Sequence, residues 1–340
     1  MIDTLRALLV PGKGLLAMDE SVGTCNQRLA AAGIAATAEM RQAWRALLLG
    51  TPQLGEGISG VILHDETLRQ SLDNGRSMVS TVQMAQDAGL QIGIKVDLGT
   101  QDLPGHAGEK VTEGLDGLGP RLQAYRMLGA RFAKWRSVCS IGDLAARPSL
   151  ACIEANAHAL ARYAGLCQAA GLVPIVEPEV LMAGPHSLAH CQQVTEALLG
   201  SVFNQLQRQG VALEWLILKP NMVISGLECP QQSSPAEVAR ATLQCLRRVV
   251  PAAVPGVVFL SGGQSGPQAS SRLNALHALP DATLPWVLSF SFARALQHPA
   301  LDIWAGQASQ QGAARAALMH RVRCNVAALR GRYTPELEHP

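Results

Sequence analysis

Lys219 follows the run Trp215, Leu216, Ile217 and Leu218 and precedes Pro220. An amine emerging from so apolar a stretch is partly desolvated, and the neighbouring cations Lys134 and Arg136 would further disfavour its protonated form. A neutral amine can attack a ketone to give a carbinolamine. Dehydration then yields an iminium, an electron sink for breaking the adjacent carbon–carbon bond. That dehydration needs a proton carrier, for which Glu177 is suited. Glu179 would orient Lys134 or Lys219 and balance the positive charge. Asp19 either abstracts the hydroxyl proton that starts cleavage or pairs with Lys134 or Lys95. The competing reading of Lys219 is a phosphate ligand or a structural ion pair.

A second set of residues suits anions. SGGQSG at 261–266 places Ser261, Gly262 and Gly263, with exposed amides, where barrels often hold phosphate. Arg294 adds a bidentate donor for the same oxyanion. A tight turn is the plainer account of the glycines alone. Lys95 and Arg136, with Arg28, would serve a second anion across the cavity, pointing to a doubly anionic substrate.

These side chains need elements to bring them together. Short apolar runs bounded by turn residues occur at 14–19, 60–65, 90–97, 130–136, 173–178, 216–221, 257–262 and 286–293. The gaps between them hold helical patterns. LACIEANAHALARYAGLCQAA repeats apolar residues at helical spacing up to Gly171, and Ser234, Pro235 and Glu237 form a capping-box start for a helix over 234–250. Eight strand-plus-helix units without a break in composition predict a single-domain α/β (β/α)8 TIM barrel over 1–340, whose site lies at the C-terminal strand ends. A doubly wound sheet is the competing architecture. Asp19, Lys95, Lys134, Arg136, Glu177, Glu179, Lys219, Ser261 and Arg294 all fall at or just beyond such ends. The polar stretches 98–118 and 263–275 read as loops above the mouth.

Composition narrows the function classes. The 340 residues include 28 basic and 26 acidic side chains, a formal charge of +2, which offers no global field for nucleic acid or an anionic membrane. Charged residues are 16%, too few for a disordered chain. Eight cysteines without a CxxC pair suggest free thiols in a reducing, cytoplasmic compartment. No apolar stretch reaches the roughly 20 residues of a membrane span. Nine histidines form no HExxH, and His64, near the mouth, reads as packing or support; neither metal nor cofactor is expected.

The stretches GKGLLAMDES (12–21), GVILHDETL (60–68), GIKVDLG (93–99), FAKWR (132–136), ARYAGLCQAAGLVPIVEPEV (161–180), LKPNMV (218–223), FLSGGQS (259–265) and GRYTP (331–335) resemble class I fructose-1,6-bisphosphate aldolases. The resemblance runs from about residue 10 to 335. It implies a metal-independent barrel, commonly a homotetramer, that cleaves fructose 1,6-bisphosphate to dihydroxyacetone phosphate and glyceraldehyde 3-phosphate. It also implies a Schiff base on Lys219 and dehydration by Glu177. Asp19 and Lys134 would act near the C4 hydroxyl, supported by Glu179. The phosphate nearest the carbonyl would meet Ser261, Gly262 and Arg294, and the other end Lys95, Arg136, Arg28 and the Ser21–Thr24 loop. Two departures stand out: Thr24 and Leu98 replace a serine and a lysine common in animal members. Residues 330–340 also form a short extension without the family's tyrosine-ended tail, which is linked to exchange of the enamine proton. Slow C3 proton exchange relative to cleavage is therefore expected; tritium release from labelled dihydroxyacetone phosphate faster than turnover would refute it.

Overall fold

The computed structural model describes residues 1–73, 77–142, 147–279 and 283–339. Eight parallel strands close into a barrel: β1 (Gly14–Met18), β2 (Ile58–Leu63), β3 (Gln91–Lys95), β4 (Phe132–Cys139), β5 (Val173–Val180), β6 (Ile217–Leu218), β7 (Gly256–Phe259) and β8 (Val287–Phe292). Every strand pairs with its neighbours in sequence, and β8 closes on β1 through Leu15 opposite Ser291 and Leu16 opposite Phe292. All eight expected runs become these strands, and the doubly wound alternative is excluded.

Side chains alternate between the two faces of each strand, which produces two cores. The outward series, including Leu16, Met18, Ile92, Ile94, Trp135, Val176, Leu218, Phe259 and Phe292, packs with the surrounding helices. The inward series forms a separate plug of Leu15, Ala17, Ile62, Phe132, Val173, Ile175, Ile217 and Val258. Leu5 and Leu8 of the N-terminal helix Ile2–Leu8 join it. Two residues further along the strands, the inward positions change character. Ala17 gives way to Asp19, Phe132 to Lys134, Ile175 to Glu177 and Ile217 to Lys219. The apolar plug is therefore the floor of a charged chamber.

The surrounding helices begin where their residues can cap them. Ser149 accepts the Cys152 amide at the start of Leu150–Ala169, and Ser234 and Glu237 form the expected reciprocal capping box of Pro235–Val249. Two expected loops are corrected. Within 98–118, Thr100–Asp102 pairs antiparallel with Lys110–Thr112 as a hairpin. Within 263–275, residues Gly266–His277 are helical because Ser265 and Gln268 make a second capping box with a proline in the first turn. Small polar residues there masked a sound helix start. Strand ends also differ: β4 and β5 continue to Cys139 and Val180, so Lys134 and Glu177 lie within strands.

Gly93 is the tightest inward position, since a Cβ there would sit 2.1 Å from the Phe132 ring. Gly93→Ala should destabilise by about 1–3 kcal/mol through overpacking, lowering the urea midpoint. Gly119→Ala, where a Cβ meets open space, should not lower it.

Candidate active site

The chamber above the plug is a cavity of about 680 Å³, within the range of small-molecule sites. Its lining includes every residue expected from the sequence: Asp19, Ser21, Thr24, Arg28, Lys95, Lys134, Arg136, Glu177, Glu179, Lys219, Ser261, Gly262, Gly263 and Arg294. The closed barrel thus brings together groups drawn from seven strands or the loops after them.

Four buried charges form its centre. The Lys134 Nζ lies 2.7 Å from Asp19 Oδ2 and 3.1 Å from Glu177 Oε2, while Lys219 Nζ lies 3.2 Å from Glu177 Oε1. Asp19, Lys134, Glu177 and Lys219 are each at most 8% exposed. Two cations and two anions cancel, which is the condition under which charges tolerate burial. Burial pushes the Asp19 carboxyl up, but the ammonium groups of Lys134 and Lys219 outweigh it and hold the carboxyl well below the usual range. Burial likewise favours a neutral Lys134, and Asp19 and Glu177 overcome it, raising its pKa.

Two expectations about partners are corrected by these distances, and a third, left open between two lysines, is decided. Glu179 orients neither lysine: its Oε2 accepts from Arg136 Nε at 2.5 Å, and that carboxylate raises the guanidinium's pKa against the effect of burial. The charge nearest Lys219 is the Glu177 carboxylate, not the cations of Lys134 and Arg136, because Glu177 reaches between the two lysines. Asp19 pairs with Lys134 and not with Lys95. Lys95 instead turns to Asp97, with Nζ 2.6 Å from Oδ1 and 2.8 Å from the backbone carbonyl.

The cations and amides suited to anions flank this centre. Gly262 and Gly263 have φ of +48° and +81°, and Cβ atoms there would crowd Met182 and, at Gly263, Arg294. Glycine is required for this turn, whose backbone faces the cavity beside Ser261. Among the described residues no carboxylate pairs with Arg294. Elsewhere on the rim, Ser21 Oγ caps the helix Val22–Ala31 and lies 3.1 Å from Thr24 Oγ1. Arg28, from that helix, pairs with Glu20.

Of the further residues of the site and its surroundings, Glu20, Arg45 and Ser291 carried no mark in the sequence, whereas His64 was placed near the mouth. Glu20 follows Asp19 and by strand alternation should point outward; the chain leaves β1 at Met18, so alternation no longer governs it. Arg45, which pairs with Glu20, sits in the helix Ala38–Leu49 and carries no signal of its own. His64 lines the cavity, and its Nδ1 accepts the Glu66 amide at 3.4 Å to cap a short helix. Ser291, an inward residue of β8, had no charge to mark it.

Replacing Lys134 leaves the Asp19 and Glu177 carboxylates buried without their shared cation. Lys134→Met should cost about 3–5 kcal/mol of stability, measured by urea unfolding at neutral pH. Asp19 has a folded pKa depressed below its unfolded value of roughly 3.9. Its contribution is therefore fully present above that value and lost as pH falls below it. Loss of stability on acidification should be shallower in Lys134→Met than in the parent.

The family model for class I fructose-bisphosphate aldolases matches residues 1–340. A probable class 1 fructose-bisphosphate aldolase of Xanthomonas campestris is 54% identical over 304 residues, 89% of each chain. Fructose-bisphosphate aldolase C of Mus musculus is 48% identical over 332 residues, covering 97% of this chain and 90% of its own. The fructose-bisphosphate aldolase of Plasmodium falciparum, crystallised with TRAP and a small-molecule inhibitor, superposes with a TM-score of 0.94. It is 45% identical, with 98% of this chain and 94% of that one covered. With a closed eight-stranded barrel and two lysines interleaved with two carboxylates at its mouth, the chain belongs to the class I fructose-bisphosphate aldolase family.

Proposed function

We propose that the chain cleaves fructose 1,6-bisphosphate reversibly through a Schiff base on Lys219. The observation that carries this reading is the Lys219–Glu177–Lys134–Asp19 chain of contacts, because each step of imine-based cleavage finds a group within reach. Lys219 passes a proton to Glu177, 3.2 Å away, and its nitrogen lone pair adds to the C2 carbonyl. The resulting carbinolamine loses its hydroxyl as water when Glu177 returns the proton, leaving the iminium.

Cleavage follows from the other half of the chain. Asp19, held 2.7 Å from Lys134, takes the C4 hydroxyl proton. The C3–C4 bond breaks, its electrons pass to the iminium nitrogen, and glyceraldehyde 3-phosphate leaves. The remaining enamine takes a proton at C3 from solvent, Asp19 gives its proton back to solvent, and water hydrolyses the iminium to release dihydroxyacetone phosphate and the Lys219 ammonium. Lys134, between both carboxylates, stabilises oxygen charge as it develops. Glu179 supports the site through Arg136.

Substrate orientation follows from the anion groups. Ser261, Gly262, Gly263 and Arg294 suit the phosphate beside the carbonyl. Lys95, Arg136, Arg28, Ser21 and Thr24 suit the phosphate at the other end. No helix among the described residues is long and apolar enough to cross a membrane, and the eight cysteines are all free thiols. The likeness to the family supports a homotetramer, and the free thiols suit a reducing, cytoplasmic compartment. Sedimentation of the purified chain tests its assembly.

The mechanism is tested by borohydride reduction with dihydroxyacetone phosphate in the presence of a chelator, followed by peptide mass analysis. The adduct is expected on Lys219 and should vanish in Lys219→Met. No adduct, or one on Lys134, would overturn the assignment.

A further inference from the structure

One ion-pair chain at the cavity rim is not used by the chemistry above. Glu20 is almost fully buried, with its side chain 5% exposed, and it binds two arginines at once. Its Oε2 lies 2.7 Å from Nη2 of Arg45, whose side chain is 3% exposed. Its Oε1 accepts from Nη1 of Arg28, whose side chain is 32% exposed. Arg45 does not line the cavity; Arg28 and Glu20 do. The three residues come from three segments: the loop after β1, the helix Val22–Ala31 and the helix Ala38–Leu49.

We propose that Glu20, anchored by Arg45, is a positioning residue that holds Arg28 toward the phosphate remote from Lys219, so favouring bisphosphorylated ketoses over monophosphorylated ones. This rests on the aldolase reading above.

Two effects of Glu20 on an incoming phosphate oppose each other. Its negative charge weakens the local positive potential, so removing it would by charge alone improve anion binding. But the same carboxylate separates two guanidinium groups, and without it they repel at close range inside the protein. Arg45 is enclosed on all sides and has nowhere to go. Arg28 is a third exposed and has solvent beside it, so Arg28 is the side chain that leaves. A freed arginine must then be ordered again on binding, which takes back rotamer freedom and weakens the complex. The geometric loss therefore exceeds the electrostatic gain. Glu20 occupies only one nitrogen of the Arg28 fork, and the remaining donors can meet phosphate oxygens.

The test is steady-state cleavage of fructose 1,6-bisphosphate and fructose 1-phosphate by the full chain and by Glu20→Gln and Arg45→Met. In both variants the ratio of kcat/KM for the bisphosphate to that for the monophosphate should fall roughly tenfold, mainly through KM for the bisphosphate. In an Arg28→Met background, adding Glu20→Gln should lower the ratio no further. An unchanged or increased ratio, or an equal loss on both substrates, overturns the inference. Should Glu20→Gln fail to fold, Arg45→Met tests the anchor instead: without Arg45 the Glu20 carboxylate is free to turn and no longer fixes Arg28, so the same fall is expected from outside the cavity. Failure of the aldolase reading would be seen separately, as a parent chain that cleaves neither substrate.

Discussion

Burying four charges in one place is the constraint around which this molecule is organised. Asp19, Lys134, Glu177 and Lys219 come from four different strands or strand ends, and each is nearly excluded from solvent. An isolated charge so enclosed is costly, and removing one partner strands another. The barrel must therefore close with β1, β4, β5 and β6 in a register that sets ammonium against carboxylate within about 3 Å. Arg136 opposite Glu177 and Lys134 opposite Ile175 fix that register between β4 and β5.

The same closure makes the chemistry local. Below the four charges lies the apolar plug, sealed by Leu5 and Leu8 of the first helix. It excludes water from beneath the lysines and gives their long side chains a rigid apolar wall. Above them the cavity opens to cations and glycine amides from other loops. One carboxylate, that of Glu177, touches both lysines. That economy depends on the barrel and not on any single strand.

Outside the central four, ion pairs arrange the rim. Glu179 turns Arg136, Asp97 turns Lys95, and Glu20 ties Arg28 to the buried Arg45. Each cation that faces the cavity on this side is thus held by its own carboxylate, whereas Arg294 on the opposite side has none among the described residues. The two sides of the cavity differ in this respect. One is a glycine turn with an unengaged guanidinium, the other a set of cations kept in place by acids.

Much of this was legible in the sequence. Eight apolar runs separated by helical patterns dictated the barrel, because strand alternation and helix periodicity are local properties. The residues at the run ends named the cavity, because a charge placed at the end of a buried strand must meet water or an opposite charge there. The helix start at Ser234 was equally local, while the start at Ser265 was hidden by its small polar neighbours and that at Ser149 was not read. Pairing was decided by tertiary structure alone. That Glu177 reaches both lysines, that Glu179 takes Arg136, and that Arg45 stands behind Glu20 depend on distances between segments far apart in the chain. Residue type and spacing state which charges are present; only closure of the barrel settles which of them touch, since the energy of an ion pair is set by separation and burial, neither of which is a property of one segment.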